Sequence, residues 1–239
     1  MTHLMPALTA AILAATGATV APVANIPTTP AMEAGSAIDI SSPLANVLPI
    51  KAVSHCTLGG ITQSGYGITA GHCGVRGSVV YSGHRVVGRI VHQSVDHGDF
   101  AIIKFSQSVP LHKSAISYQI PPVNLQVSKL GSTTGKSYGA IVTRPQVTHN
   151  LMYPIRPGSL IPIYHNVSTV GQLSTLCTRQ GDSGGPVFNH TTGKVVAILV
   201  GSTATHADST TACRTHGEGT LIAPLAHMPR PVSYTHLRA

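Results

Sequence analysis

Ser183 lies in the stretch QGDSGGPVF, Gln180 to Phe188, with Gly181-Asp182 on one side and Gly184-Gly185 on the other. Glycines on both flanks free the backbone to project a hydroxyl while neighbouring N–H groups turn toward one point. Donors that converge in this way stabilise an oxyanion as it forms. A serine hydroxyl is a weak nucleophile until a base takes its proton and a carboxylate orients that base. Both partner types occur upstream. His72 follows a β-type run in ITAGHCG, and Asp99 opens another in HGDFAII, so the chain order is His72, Asp99, Ser183. Asp96, just before it, is a competing carboxylate. A glycine-rich loop without chemistry is the plainer reading of residues 180–188, and the presence of both partners weighs against it.

A second glycine-bearing stretch, KLGSTTGKSYG from Lys129 to Gly139, is close to the loop that cradles nucleotide phosphates. That loop has one more residue between its first glycine and the Gly-Lys pair, and it joins a strand to a helix. Here YGAIVTRPQV follows and reads as strand. The stretch is therefore expected to be a β-turn, and nucleotide binding is set aside.

The elements that must position these residues are short strands. GSVVYSGHRVVGRIVHQSV, DFAIIKF, GAIVTRPQV, KVVAILVGS and TLIAPL are rich in Val and Ile and punctuated by glycine. No window outside the N-terminal stretch shows a convincing helical period. The pattern predicts an all-β unit, sandwich or barrel, from about Lys51 to about Met228. Residues 25–50 are expected to form an extended lead-in or a short pro-segment.

Only 9% of the 239 residues are charged, and 42% are hydrophobic. The formal net charge is +8 with 14 histidines counted neutral. No run of Lys or Arg occurs and aromatics are 4%, so neither a basic stripe nor a stacking platform for nucleic acid is present. The histidines admit a pH-dependent role, although most are expected to be solvated. Residues 1–24, apolar and rich in small residues, read as a secretory signal peptide ending at Ala21 or Ala24, with His3 in place of the usual Lys or Arg. Left uncleaved, the segment would hold the protein at the cell envelope. Export to an oxidising compartment makes two disulfides the expected use of four cysteines. His55-Cys56 and His72-Cys73 are poor zinc spacing, because adjacent strand residues face opposite sides. No metal and no cofactor are expected. The closing VSYTHLRA, residues 232–239, back-translates to a transposon sequencing adapter and is left out of the fold reasoning.

TAGHC and GDSGGP together resemble the chymotrypsin-like serine proteases, most of all the secreted bacterial group of streptogrisins and α-lytic protease, from about Cys56 to Pro224. The resemblance implies two packed six-stranded antiparallel β-barrels, about 51–120 and 121–228 within a domain over 51–231, with the active site in the cleft between them. It implies that Ser183 attacks the scissile carbonyl, that His72 carries the proton, and that Asp99 orients the imidazole. The apolar run after Asp99 favours it over Asp96. Gly181 and Ser183 would supply the oxyanion N–H groups. Cys56 would pair with Cys73, and Cys177 with Cys213. Lys129 stands where the bacterial group has an arginine, and would pair with Asp182 to shape the oxyanion loop without an activation cleavage.

For specificity, the resemblance points to Thr175, Val200, Gly201, Ser202 and Thr220. Thr175 replaces the Asp of trypsin-type enzymes, and Val200 replaces a Ser that helps support the catalytic Asp. Glu218 would favour a basic substrate if it points inward. The expectation is a secreted, monomeric serine endopeptidase acting on polypeptides, with apolar or small residues before the cleaved bond. It has no nucleic-acid partner and no membrane span beyond the signal segment. The alternative is a weak or inactive protease-fold binding protein.

Overall fold

Valine- and isoleucine-rich runs bounded by glycine turns pair into antiparallel ladders throughout. The computed structural model describes residues 30–41, 53–95, 98–154, 164–202 and 219–228, with the backbone alone for 147–154 and 164–167. The first sheet contains β1 (Ala37–Ser41), β2 (Val53–Thr57), β3 (Gly60–Ile61), β4 (Tyr66–Thr69), β5 (Val79–Ser82), β6 (Arg85–Ser94) and β7 (Phe100–Phe105). Its strand order is β2-β1-β5-β6-β7-β4-β3. The second contains β8 (Gln126–Gly131), β9 (Gly135–Ala140), β10 (Gln146–Pro154), β11 (Tyr164–Ser174), β12 (Pro186–Asn189), β13 (Val195–Ser202) and β14 (Thr220–Pro224), in the order β10-β11-β14-β13-β12-β8-β9. The only helical pieces among the described residues are 3₁₀ turns at Gly71–Cys73 and Leu225–His227.

The two sheets fit the two-barrel expectation, with seven strands each rather than six. In the first sheet the added strand is β1, which belongs to the expected lead-in. It lies inside the sheet, pairing with β2 on one side and β5 on the other, and Met32 before it is buried in the core. The run GAIVTRPQV is also divided. β9 ends at Ala140 and β10 begins at Gln146, with Pro145 between them lacking the N–H a ladder needs.

β2 and β3 stand at opposite edges of the first sheet, yet only Leu58 and Gly59 separate them. The sheet must curl until its edges meet, and the Gly59 N–H donates to Ile68 O at 2.7 Å. β13 runs between two cores. Val195, Ile198 and Val200 join the first cluster, while Val196, Ala197 and Leu199 join the second. Burial on both faces explains why VVAILV is a continuous apolar run instead of an alternating one.

Cys56 and Cys73 form a disulfide across a sequence separation of 17. This constrains the unfolded chain by roughly 3 kcal/mol and removes both sulfurs from any zinc site. Cys177 is also disulfide-bonded. Its expected partner Cys213 lies outside the described residues, as do Asp96, Glu218, the signal segment and residues 229–239.

Candidate active site

β4 and β7 are antiparallel neighbours with Thr69 opposite Ala101. Continuing that register by one pair of positions sets Gly71 across from Asp99, so the two strand ends carry His72 and Asp99 to the same place. His72 sits on the Gly71–Cys73 turn, and its Nδ1 lies 2.5 Å from Asp99 Oδ2. Its backbone N–H donates to Asp99 Oδ1 at 2.9 Å. Gly71 makes the approach possible, since a Cβ there would come within 2.7 Å of Asp99 Oδ1. Gln93 Nε2 donates to Gly71 O at 2.7 Å and pins the turn from β6. Asp99 is fully buried, while 23% of the His72 side chain stays exposed. Burial alone would lower the His72 pKa, but the charge and hydrogen bond of Asp99 outweigh it and raise it above the ordinary value.

Ser183 comes from the second sheet, in the loop between β11 and β12. The loop docks onto the strand ends that carry His72. Thr57 N–H donates to Ser183 O at 2.8 Å, and Cys73 Sγ lies 3.9 Å from the same oxygen. Gly184, at φ +84°, packs so closely that a Cβ would collide with Thr69 Oγ1 and come within 2.5 Å of Thr57 O. Gly184→Ala is therefore expected to lower stability by at least about 1–3 kcal/mol from the left-handed backbone alone. An unchanged thermal melt would show that the loop is not seated as described.

Within the loop, the N–H groups of Asp182, Gly184 and Gly185 donate to Arg179 O, Leu199 O and Asp182 O. Those of Gly181 and Ser183 donate to none of the described residues. The Gln180 carbonyl accepts from the Thr133 hydroxyl at 2.7 Å, and Gly181 holds a left-handed φ of +95°.

β12 pairs with β8, Val187 opposite Lys129, and this register delivers Lys129 to Asp182. Lys129 Nζ is 3.3 Å from Asp182 Oδ2, with both side chains fully buried. It also donates to Gly135 O at 2.8 Å and to the Thr134 hydroxyl, which itself donates to Asp182. Asp182 further accepts the N–H groups of Thr133, Thr134 and Arg179 at 2.9, 3.0 and 3.1 Å. Burial would raise the Asp182 pKa, but the Thr134 hydroxyl and N–H, the Lys129 charge and the Arg179 N–H hold it below the ordinary carboxylate range. Burial pulls Lys129 below the ordinary lysine value, with Asp182 opposing. The stretch KLGSTTGKSYG is thus the β8–β9 hairpin, and its turn wraps a buried carboxylate of this chain.

The expected specificity residues are placed unevenly. Ser202 and Thr220 are cross-strand partners, and the buried Thr220 hydroxyl donates to Leu176 O at 2.6 Å. Gly201 is half-buried beside them. Val200 is buried in the core at an irregularity in the β13–β14 register. Thr175 is exposed, with its hydroxyl accepting the Ala140 N–H at 2.9 Å. Gln93, Thr57, Ser132, Thr133 and Thr134 support the site without having stood out in the sequence. The only available signal was the density of hydroxyls in GSTTG.

A comparison with curated proteins found no match. Among solved structures, the chain is similar to Nocardiopsis protease (NAPase), with 22% identity and a TM-score of 0.55 over 80% of this chain and 90% of that one. It is similar to Cellulomonas bogoriensis chymotrypsin at 24% identity and 0.54, over 81% and 91%. For Thermobifida fusca protease A the values are 20% and 0.55, over 82% and 92%. These likenesses establish the fold. Residues 54–198, more than half of the chain, match the family described as trypsin-like peptidase domain. That stretch carries β2 through the first half of β13, and with it His72, Asp99, Lys129, Asp182 and Ser183, so the chain belongs to the trypsin-like peptidases, a family of serine endopeptidases.

Proposed function

We propose that the protein is a secreted serine endopeptidase in which Ser183 is the nucleophile, His72 its general base and Asp99 the group that orients the base. The N–H groups of Gly181 and Ser183 form the oxyanion hole. The observation that carries this reading is the buried Asp99 bound to both the backbone and Nδ1 of His72, with the Ser183 loop docked beside that turn. In the reaction, His72 takes the Ser183 proton as Oγ attacks the substrate carbonyl. The proton then passes to the leaving amine, giving an acyl-enzyme that water hydrolyses. The Lys129–Asp182 pair shapes the oxyanion loop from within, so no new N-terminal amine is needed to form it.

The Cys56–Cys73 disulfide and the bonded Cys177 suit an oxidising compartment outside the cell. Among the described residues no helix is long and apolar enough to cross a membrane. A polypeptide with apolar or small residues before the cleaved bond fits the uncharged set Val200, Gly201, Ser202 and Thr220, and Thr175 offers no carboxylate to a basic side chain. The protein acts as a monomer.

Fluorophosphonate labelling of the chain, read by intact mass beside a Ser183→Ala control, tests the proposal. A single adduct on the native chain and none on the control is the expected result. An absent adduct on folded, disulfide-intact protein would overturn the reading in favour of a protease-fold binding protein.

A further inference from the structure

We infer that Thr57 is a positioning residue that fixes the nucleophile loop against the base across the two sheets. The inference rests on the proposed roles of His72 and Ser183. His72 is carried by the first sheet and Ser183 by the second, so neither sheet alone sets their separation. Attack requires the hydroxyl and imidazole within hydrogen-bond reach, and small misplacements are costly to rate. Some group must therefore tie the two sheets together at this point.

Thr57 engages all its polar atoms there. Its N–H donates to Ser183 O at 2.8 Å and its hydroxyl donates to Gly181 O at 2.8 Å. The same hydroxyl accepts the Ser132 N–H at 3.0 Å. On the other side, its carbonyl accepts from Thr69 Oγ1 at 2.9 Å, at the end of the strand that leads into His72. The preceding Cys56 is bonded to Cys73, the residue after His72. One fully buried residue thus holds the carbonyls of both residues whose N–H groups face the oxyanion, and is fastened to the base's strand by a hydrogen bond and a disulfide. Ser132 Oγ, at 2.9 Å from Gly181 O, reinforces the grip from the GSTTG turn. β-Branching restricts χ1, so threonine presents its hydroxyl to Gly181 with less rotamer freedom than serine.

Thr57→Val keeps the shape and the backbone bonds and removes the hydroxyl. It leaves the Ser132 N–H without this acceptor and Gly181 O with one donor fewer. A loss of about tenfold in kcat and in fluorophosphonate labelling rate is expected, with KM unchanged and Thr57→Ser restoring most of it. All are measured well below the melting midpoint of each variant. A lower melting temperature with wild-type kcat and labelling rate would overturn the inference, because that is the signature of a merely structural residue. If the native chain itself fails to label, the protease reading fails, and the clamp is judged separately by the backbone amide resonances of Gly181 and Ser183. Displacement of both in Thr57→Val, reversed in Thr57→Ser, supports the clamp, and unmoved resonances overturn it.

Discussion

The Asp99→Asn variant is expected to lose about 10⁴-fold in kcat, the scale seen for this exchange in Ser-His-Asp enzymes, while folding as the native chain does. The amide oxygen of the new side chain can still accept the His72 backbone N–H, so the turn keeps its place. The amide nitrogen then faces the ring where Asp99 Oδ2 now lies 2.5 Å from Nδ1. Two donors cannot share that contact, so the imidazole proton moves to Nε2 and the ring can no longer accept the Ser183 proton. The pH profile changes in step. In the native chain Asp99 raises the His72 pKa, so activity, which needs neutral imidazole, climbs with pH through a point above roughly 6.5. Without that charge, burial prevails and the acid limb of the residual activity moves to lower pH. Stability runs the other way. A raised histidine pKa contributes stability that is fully present below the unfolded value and lost as pH rises through the folded one. The variant should therefore melt lower than the native chain at pH 5, with the gap narrowing at pH 8. A kcat within tenfold of native would remove Asp99 from the mechanism.

Lys129→Gln is expected to cost about 3 kcal/mol, read as a melting temperature lower by about 6–12 °C. The reason is the charge left behind. Asp182 stays buried with its N–H donors, but loses the Lys129 ammonium at 3.3 Å, and an uncompensated carboxylate away from water is costly. The depressed Asp182 pKa contributes stability present above the unfolded value of roughly 3.9 and lost as pH falls through the folded one. The variant and native melts should differ most near neutrality and converge as the pH falls through the depressed folded value of Asp182. Because Asp182 ties the GSTTG turn to the loop proposed to bind the oxyanion, turnover is expected to fall with stability. Equal melts and equal turnover would mean that Lys129 is a passive core residue.

What the sequence made legible was local. GDSGGP carries its glycines within a few residues of the serine they serve, and TAGHC joins its histidine to a strand end and a cysteine, so both motifs could be read in place. The β-type runs around them likewise gave an all-β chain, because burial of one or both strand faces is written as alternation or as a continuous apolar run. The strand count was less accessible. β1 reads as a lead-in because AIDIS is short and followed by a proline-containing stretch, and only pairing with two distant strands makes it interior. The partners of the supporting hydroxyls were hidden for the same reason. Thr57 meets Gly181 across 124 positions and Thr133 meets Asp182 across 49, and no short-range spacing encodes such contacts. Thr175 was read from its place before Cys177 alone, and the contact of its hydroxyl with the Ala140 N–H, 35 positions away, was not visible there.

The curling of the first sheet, with β2 and β3 at its two edges on either side of Leu58-Gly59, bears on how the chain is made. During synthesis the N-terminal barrel can join its own edges before Ser183 has left the ribosome. The nucleophile loop, by contrast, draws its contacts from residues 57, 69, 132 and 199. Such distant partners make for slow, late closure. The loop that carries the proposed nucleophile is thus expected to close after the turn that carries His72 has formed.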